Sequence, residues 1–248
     1  MTVVTVVQLY PGELGVAGDR GNVLALVARL RAAGFTPTVH EHRRDGLLPE
    51  TADVVIVGGG PLSAMRNIYG DLMANAATLR VWAASGVPFF AYGSGCELLG
   101  TSVTLPDGNV LDGVGIFPLT AVRVPERTVG YVVVESTTGR VVGFEDNASR
   151  WTLGADALPL GSVSAGHGNG NGFEGVLAGR SIGTQIGGPV LPLNPALADR
   201  LVVGVAERLG IELTPREAAA SNTTLTDDYA QRAREVIVGK ATHVFSRI

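Results

Sequence analysis

Through its first hundred residues the chain alternates short apolar runs with segments of helical spacing, and this alternation restricts the fold more than any other feature. Val3–Leu9 is β-branched and nearly all apolar, as a strand buried on both faces should be. Gly21–Ala33 follows with Val23, Leu26, Val27, Leu30 and Ala33 at helical spacing, and Gly34 ends the pattern. Thr36–His40 reads as a second strand, and Asp53–Val57 as a third that closes on Gly58-Gly59-Gly60. A helix is expected over Leu72–Ala84, then a fourth strand over Pro88–Tyr92. Strand and helix repeated in this way imply right-handed crossovers. The expected class is therefore α/β, a mostly parallel sheet flanked by helices.

The second half reads differently. Between about Leu111 and Thr184 the runs are short, β-rich and separated by Gly, Asn and Asp: Arg127–Glu135, Arg140–Phe144, Leu160–Ser164 and Ser181–Thr184. These are expected as antiparallel additions at one edge of the sheet. Pro195–Leu209 is a helix with Asn194 placed to cap it and Pro195 in its first turn. After Pro215 a polar stretch, Ser221–Thr226, leads into a last helix near Asp227–Val238. No repeat or low-complexity linker divides the chain, so the reading is one domain over residues 1–212 and a C-terminal helical tail over 213–248.

Composition narrows the function classes. With 46% apolar and 17% charged residues, the 248-residue chain can bury a sizeable core. A net charge of −4 without a basic patch argues against nucleic acid as the main partner. The apolar N-terminus is too short to span a membrane and lacks the flanks of a signal peptide. The single cysteine forbids an internal disulfide, so a cytoplasmic location is the default. His40, His42 and His243 have no ligand-spaced partners, so neither a metal nor another cofactor is expected.

In open α/β sheets, ligands bind where strands end and helices begin. Two Gly-rich turns sit at such ends, Gly58-Gly59-Gly60 and Gly93-Ser94-Gly95. The second has the form of a nucleophile elbow, a tight strand-to-helix turn that lifts one side chain over the sheet. The first carries neither a P-loop nor a spaced G-x-G-x-x-G, which leaves little for a nucleotide reading.

Further motifs run through nearly the whole chain in a fixed order. They include Leu9-Tyr10-Pro11 with Gly18-Asp19-Arg20-Gly21-Asn22, then Glu97-Leu98-Leu99-Gly100 and Gly113-Val114-Gly115. Gly143-Phe144-Glu145-Asp146-Asn147, Gly168-Asn169-Gly170-Asn171-Gly172 and Glu174-Gly175 come next, then Ile182-Gly183-Thr184, Gly188-Pro189-Val190-Leu191-Pro192 and Asn194-Pro195. Together with the two Gly-rich turns, this order resembles the class I glutamine amidotransferases of the cobyric-acid-synthase type. The resemblance implies a flavodoxin-like three-layer fold and a glutaminase site. It also implies a heterodimer with a Mur-ligase-like partner that activates a carboxylate with ATP in cell-wall (peptidoglycan) metabolism.

The departures from the family pattern bear directly on chemistry. The family elbow runs Ala-x-Cys-Gly-Gly-x-Gln-Leu-Leu-Gly, and the corresponding stretch here is Ala91 to Gly100. The nucleophilic cysteine falls on Gly93, and the catalytic histidine before Gly-Pro falls on Gly187. Hydrolysis of glutamine needs a thiolate to attack the amide and an imidazole to protonate departing ammonia, and glycine supplies neither. The resemblance implies that Gly59 and Gly60 form the oxyanion loop, where Pro61-Leu62 replaces a polar pair. It places Arg127 against glutamine's carboxylate, with Ser94 beside it in a surviving binding site.

The leading expectation is a subunit that has lost glutamine hydrolysis and acts as a scaffold, a pseudoenzyme. Two alternatives stand beside it. One is an active hydrolase with a relocated nucleophile, Cys96 or Ser94, or with His167 as a replacement base. The other is a sensor that binds a small amino acid such as glutamine. Cys96 lies about 300° around the helix from the elbow position at 100° per residue, where a buried small apolar residue is the simpler reading. Ser94 reads more simply as a helix cap, and the loop around His167 as a set of turns.

Overall fold

The computed structural model describes residues 2–16, 18–213 and 224–241. Pro215, His243 and the start of the polar stretch at Ser221 lie outside these residues. A six-stranded sheet is built from β1 (Val3–Leu9), β2 (Thr36–His42), β3 (Val54–Val57), β4 (Phe89–Tyr92), β11 (Val176–Ala178) and β12 (Ser181–Thr184). Its order is β11-β12-β4-β3-β1-β2, with every neighbouring pair parallel except the edge pair β11–β12.

Both faces of this sheet are covered, which explains why its strands read as unbroken apolar runs. Val4, Val6, Val54 and Ile56 point to one side, where they pack with Val23, Leu26 and Leu30 of α1 (Arg20–Ala32). Leu197 and Leu201 of the later helix Pro195–Arg208 complete that layer. Val7, Leu9, Val55 and Val57 point to the other side, against Met65, Ile68 and Leu72 of α2 (Leu62–Ala74) and Leu79 and Trp82 of α3 (Ala76–Ala84). The single helix expected over Leu72–Ala84 is thus the end of one helix and the whole of a second. The break falls at Asn75, and α2 begins directly after Pro61, whose φ of −67° suits a helix entry.

The β-rich second half does not simply add antiparallel strands at one edge, as expected: Ser181–Thr184 pairs parallel with β4 inside the first sheet, and Arg127–Glu135 and Arg140–Phe144 lie within longer strands. β11 extends the edge of the parallel sheet. The others form a second sheet around a hairpin of β7 (Leu119–Ser136) and β8 (Gly139–Leu153), with β5 (Ser102–Thr104), β6 (Val110–Asp112), β9 (Gly161–Ala165), β10 (Phe173–Glu174) and β13 (Ile186–Gly187). Pairing of β7 with β8 slips between Arg123 and Thr128, where extra residues bulge out of β7. That irregularity, with Pro125 inside it, hid the first half of the strand from a periodicity reading.

Three further helices follow in place: α4 (Gly93–Leu99) after β4, then α5 (Val190–Leu193) and α6, the helix Pro195–Arg208. Asn194 does not cap α6 through its side chain. Its Oδ1 accepts from the Val142 amide at 2.9 Å and its Nδ2 donates to the Val142 carbonyl at 2.8 Å, so it ties α6 to β8. The C-terminal helix α7 (Thr224–Lys240) packs on α5, β7 and β8, with Ala230 and Ala241 buried. Arg29 of α1, itself buried, holds Asp199 of α6 and Asp227 of α7 together. Among the described residues no helix is long and apolar enough to cross a membrane.

Candidate functional site

The two Gly-rich turns meet at the carboxyl edge of the parallel sheet, because β3 and β4 are adjacent with Val57 paired to Ala91. Gly93 opens α4 with φ +49°, the left-handed region that suits an elbow residue. A Cβ placed on it would meet nothing within 4 Å. The elbow geometry is therefore present, with open space where a side chain would project.

Ser94 beside it is fully engaged. Its Oγ accepts the Gly60 amide at 2.8 Å and donates to the Gly60 carbonyl at 3.0 Å. The hydroxyl clasps the first turn to the second, and α4 has no side-chain cap. That corrects the reading of Ser94 as a cap, and its reading as a nucleophile finds no base here, since its proton is given to the Gly60 carbonyl. The Gly59 amide donates to Oδ2 of buried Asp19 at 3.3 Å. Gly59 and Gly60 thus spend their amide protons inside the protein.

Gly187 is held by β8, where it pairs with Phe144. The side chain nearest to it comes from β4. A Cβ on Gly187 would lie 2.6 Å from Tyr92 Oη and 3.1 Å from its Cζ. A Cβ on Gly59 would lie 2.5 Å from Cε1 of the same ring. Tyr92 therefore fills the space between the glycine loop and Gly187. Burial, and then the carboxylates of Asp19 and Asp146, push its phenol well above the ordinary tyrosine range, so it stays protonated and neutral.

Arg127 leaves the β7 bulge half-exposed and forms an ion pair with Asp146 of β8. Its guanidinium accordingly already has a carboxylate, supplied by the chain. Cys96 is completely buried, facing Gly183, Val176 and Phe117 in the core, where a Cβ on Gly183 would come within 2.4 Å of its sulfur. Burial, then Glu97 and Glu174, raise its thiol well above the usual value. An inaccessible thiol of this kind corrects the reading of Cys96 as a displaced nucleophile. His167 sits in the loop between β9 and β10, where its amide donates to Glu145 Oε1 at 2.7 Å. Its Nε2 lies 3.6 Å from where a Cβ on Gly170 would stand. His42 Nε2 donates to Asp71 Oδ2 at 2.9 Å, and His40 bonds the Leu47 carbonyl.

The profile of the CobB/CobQ-like glutamine amidotransferase domain matches residues 6–194. The chain belongs to the CobB/CobQ-like glutamine amidotransferase family. It is 28% identical over 241 residues to the lipid II isoglutaminyl synthase (glutamine-hydrolyzing) subunit GatD of Staphylococcus aureus (strain N315), covering 96% of both chains. It is 29% identical over 203 residues to the subunit of the same name from Streptococcus pneumoniae (strain ATCC BAA-255 / R6), covering 79% of this chain and 78% of that one. A glutamine amidotransferase from Thermotoga maritima superposes with a TM-score of 0.52 at 14% identity, over 95% of this chain and 94% of that one. The glutaminase domain of Trypanosoma brucei CTPS gives 0.52 at 13%, over 86% and 97%. These two likenesses speak for the class I, flavodoxin-like fold.

In this CobB/CobQ-like domain, sequence reading missed the groups that crowd the site. Tyr92 gave no signal, because an aromatic residue ending a buried strand looks like core. Nor did the sequence reading single out the acids Asp146 and Glu97. The structure answers each acid with an arginine from β7, Arg127 for Asp146 and Arg123 for Glu97.

The amidotransferase-like domain also sets Gly187 in place through a buried acid. Glu174 Oε1 accepts from Thr184 Oγ1 at 2.9 Å and from the Gln185 amide at 2.7 Å, two residues before Gly187. Burial raises this carboxyl from 4.5 to about 7. A raised acid binds a proton more tightly in the folded state, so stability is fully present below about pH 4.5 and is lost as pH rises through about 7. The loss amounts to roughly 3 kcal/mol at 1.36 kcal/mol per pH unit. Glu174→Gln keeps the accepting oxygen and removes the titration. Urea unfolding between pH 5 and pH 8 should therefore show a flatter stability profile in the variant; equal slopes would contradict the assignment.

Proposed function

We propose that this chain is a glutaminase-like subunit that no longer hydrolyses glutamine and serves as the binding and scaffold partner of a Mur-ligase-like amidating enzyme in cell-wall precursor synthesis. The observation that carries the reading is Gly93: an elbow in left-handed geometry with open space over it and no side chain to fill it. Aligned with the family, this is the nucleophile position, and Gly187 is that of the base.

Amide hydrolysis forms a carbon–sulfur bond and breaks the carbon–nitrogen bond of glutamine as the leaving nitrogen takes up a proton. The first step requires a thiolate and the second an acid, and removing both members of such a unit costs about a million-fold in kcat. The relocated-nucleophile reading lacks support, with Cys96 buried and Ser94 clasped to Gly60. Likeness to the GatD subunits over most of the chain supports retention of the docking surface.

The test is reconstitution with a Mur-ligase-like protein from the same organism. Amidation should proceed with ammonium as nitrogen donor and should need this chain for stability or full rate of the complex. Glutamine alone should not support it. Amidation driven by glutamine at a rate matching ammonium would overturn the proposal.

A further inference from the structure

Tyr92 and Gly187 form one steric unit. The backbone at Gly187 accepts no side chain while the Tyr92 ring is present, since a single Cβ would sit 2.6 Å from Oη. Non-bonded atoms at that separation must move apart, and the ring has little room to yield. It is 8% exposed, and its other edge lies against Gly59, where a Cβ would be 2.5 Å from Cε1. The close approach on two sides explains why both neighbours are glycine.

We infer that Tyr92 is the plug of the vacated site: it occupies the volume over Gly187 and closes that volume to a catalytic imidazole and to the primary carboxamide it would serve. The inference rests on the reading that hydrolysis has been lost, and it goes further. It states that the ring fills the space between Gly59 and Gly187 while the elbow side over Gly93 stays open, and that restoring Gly93→Cys and Gly187→His is therefore not enough to rebuild the site. The neighbouring ions fit a vacated site. Arg127 pairs with Asp146, and the loop amides of Gly59 and Gly60 are bound to Asp19 and Ser94, so each group that could greet an amino acid is satisfied within the chain. A neutral phenol beside them adds bulk without chemistry.

A stability cycle tests the steric half. Wild type, Gly187→Ala, Tyr92→Val and the double variant are compared by thermal unfolding. Each single substitution should lower Tm, Gly187→Ala through the clash and Tyr92→Val through lost packing. In the Gly187→Ala background, however, Tyr92→Val should raise Tm, by on the order of 5 °C. The same lowering in both backgrounds would overturn the unit. The functional half uses a diazoketone analogue of glutamine (diazo-oxo-norleucine), whose terminal carbon takes up a proton and bonds to a thiolate sulfur as dinitrogen leaves. Mass spectrometry should find the thiol introduced by Gly93→Cys labelled at least 10-fold faster with Gly187→His and Tyr92→Val together than with Gly187→His alone. Equal labelling, including none in either, overturns the plug. Ammonia release by the wild type would instead sink the loss of hydrolysis, so the two failures are distinguishable.

Discussion

Arg123→Ala is expected to lower the unfolding free energy by about 3–5 kcal/mol, because it leaves the Glu97 carboxylate buried without a counter-charge. The Glu97 side chain is 3% exposed and that of Arg123 16%, and Nε and Nη2 of the arginine both reach Oε2 at 2.8 Å. Water cannot take the place of the lost partner at such a site. The pair joins β7 to α4, so the damage should spread to the elbow. Glu97→Gln in the same background removes the charge while keeping the shape, and should recover at least half of the loss. Urea titration of the three proteins checks this. A loss below about 1 kcal/mol for Arg123→Ala, the range of exposed pairs, would show that the ion pair is solvated in solution.

Arg29→Ala should cost a similar amount, again about 3–5 kcal/mol, for a different structural reason. Arg29 is 6% exposed in its side chain and serves two acids from separate helices, Asp199 at 12% and Asp227 at 30%. Burial pushes the Asp199 carboxyl up, opposed by the guanidinium, so without Arg29 it would protonate more readily or drag water into the interface. Asp227 is the more solvated partner and contributes mainly by fixing α7. The variant should therefore show two effects: a lowered midpoint of global unfolding, and faster cleavage within α7 by a protease at native conditions. Unchanged cleavage would mean that the apolar contacts of Ala230, Ile237 and Val238 hold the helix by themselves.

How much of this was legible in the sequence depended on the range of the forces involved. Val3–Leu9 and Val54–Val57 could be read because burial on both faces leaves a local signature, an unbroken apolar run. The β7–β8 hairpin was read only in part, since its bulge between Arg123 and Thr128 interrupts the alternation that marks a strand. Asn194 was read as a cap from its place before Pro195, yet its amide is claimed by Val142, 52 residues away in sequence. Local propensity yielded there to a tertiary bond. In the site, the glycines at 93 and 187 were visible as departures from a motif. Their relation to Tyr92 was not, because nothing in a linear string places the end of β4 against β13.

Whether the elbow at Gly93 still does chemistry is measured most directly as ammonia release from glutamine by the purified chain. Cys96→Ala should be assayed beside the wild type, and the pair repeated in complex with the ligase-like partner. The predicted result is release at the buffer rate in all four samples. Release above that rate by the wild type would contradict the account, and its loss in Cys96→Ala would identify the thiol responsible.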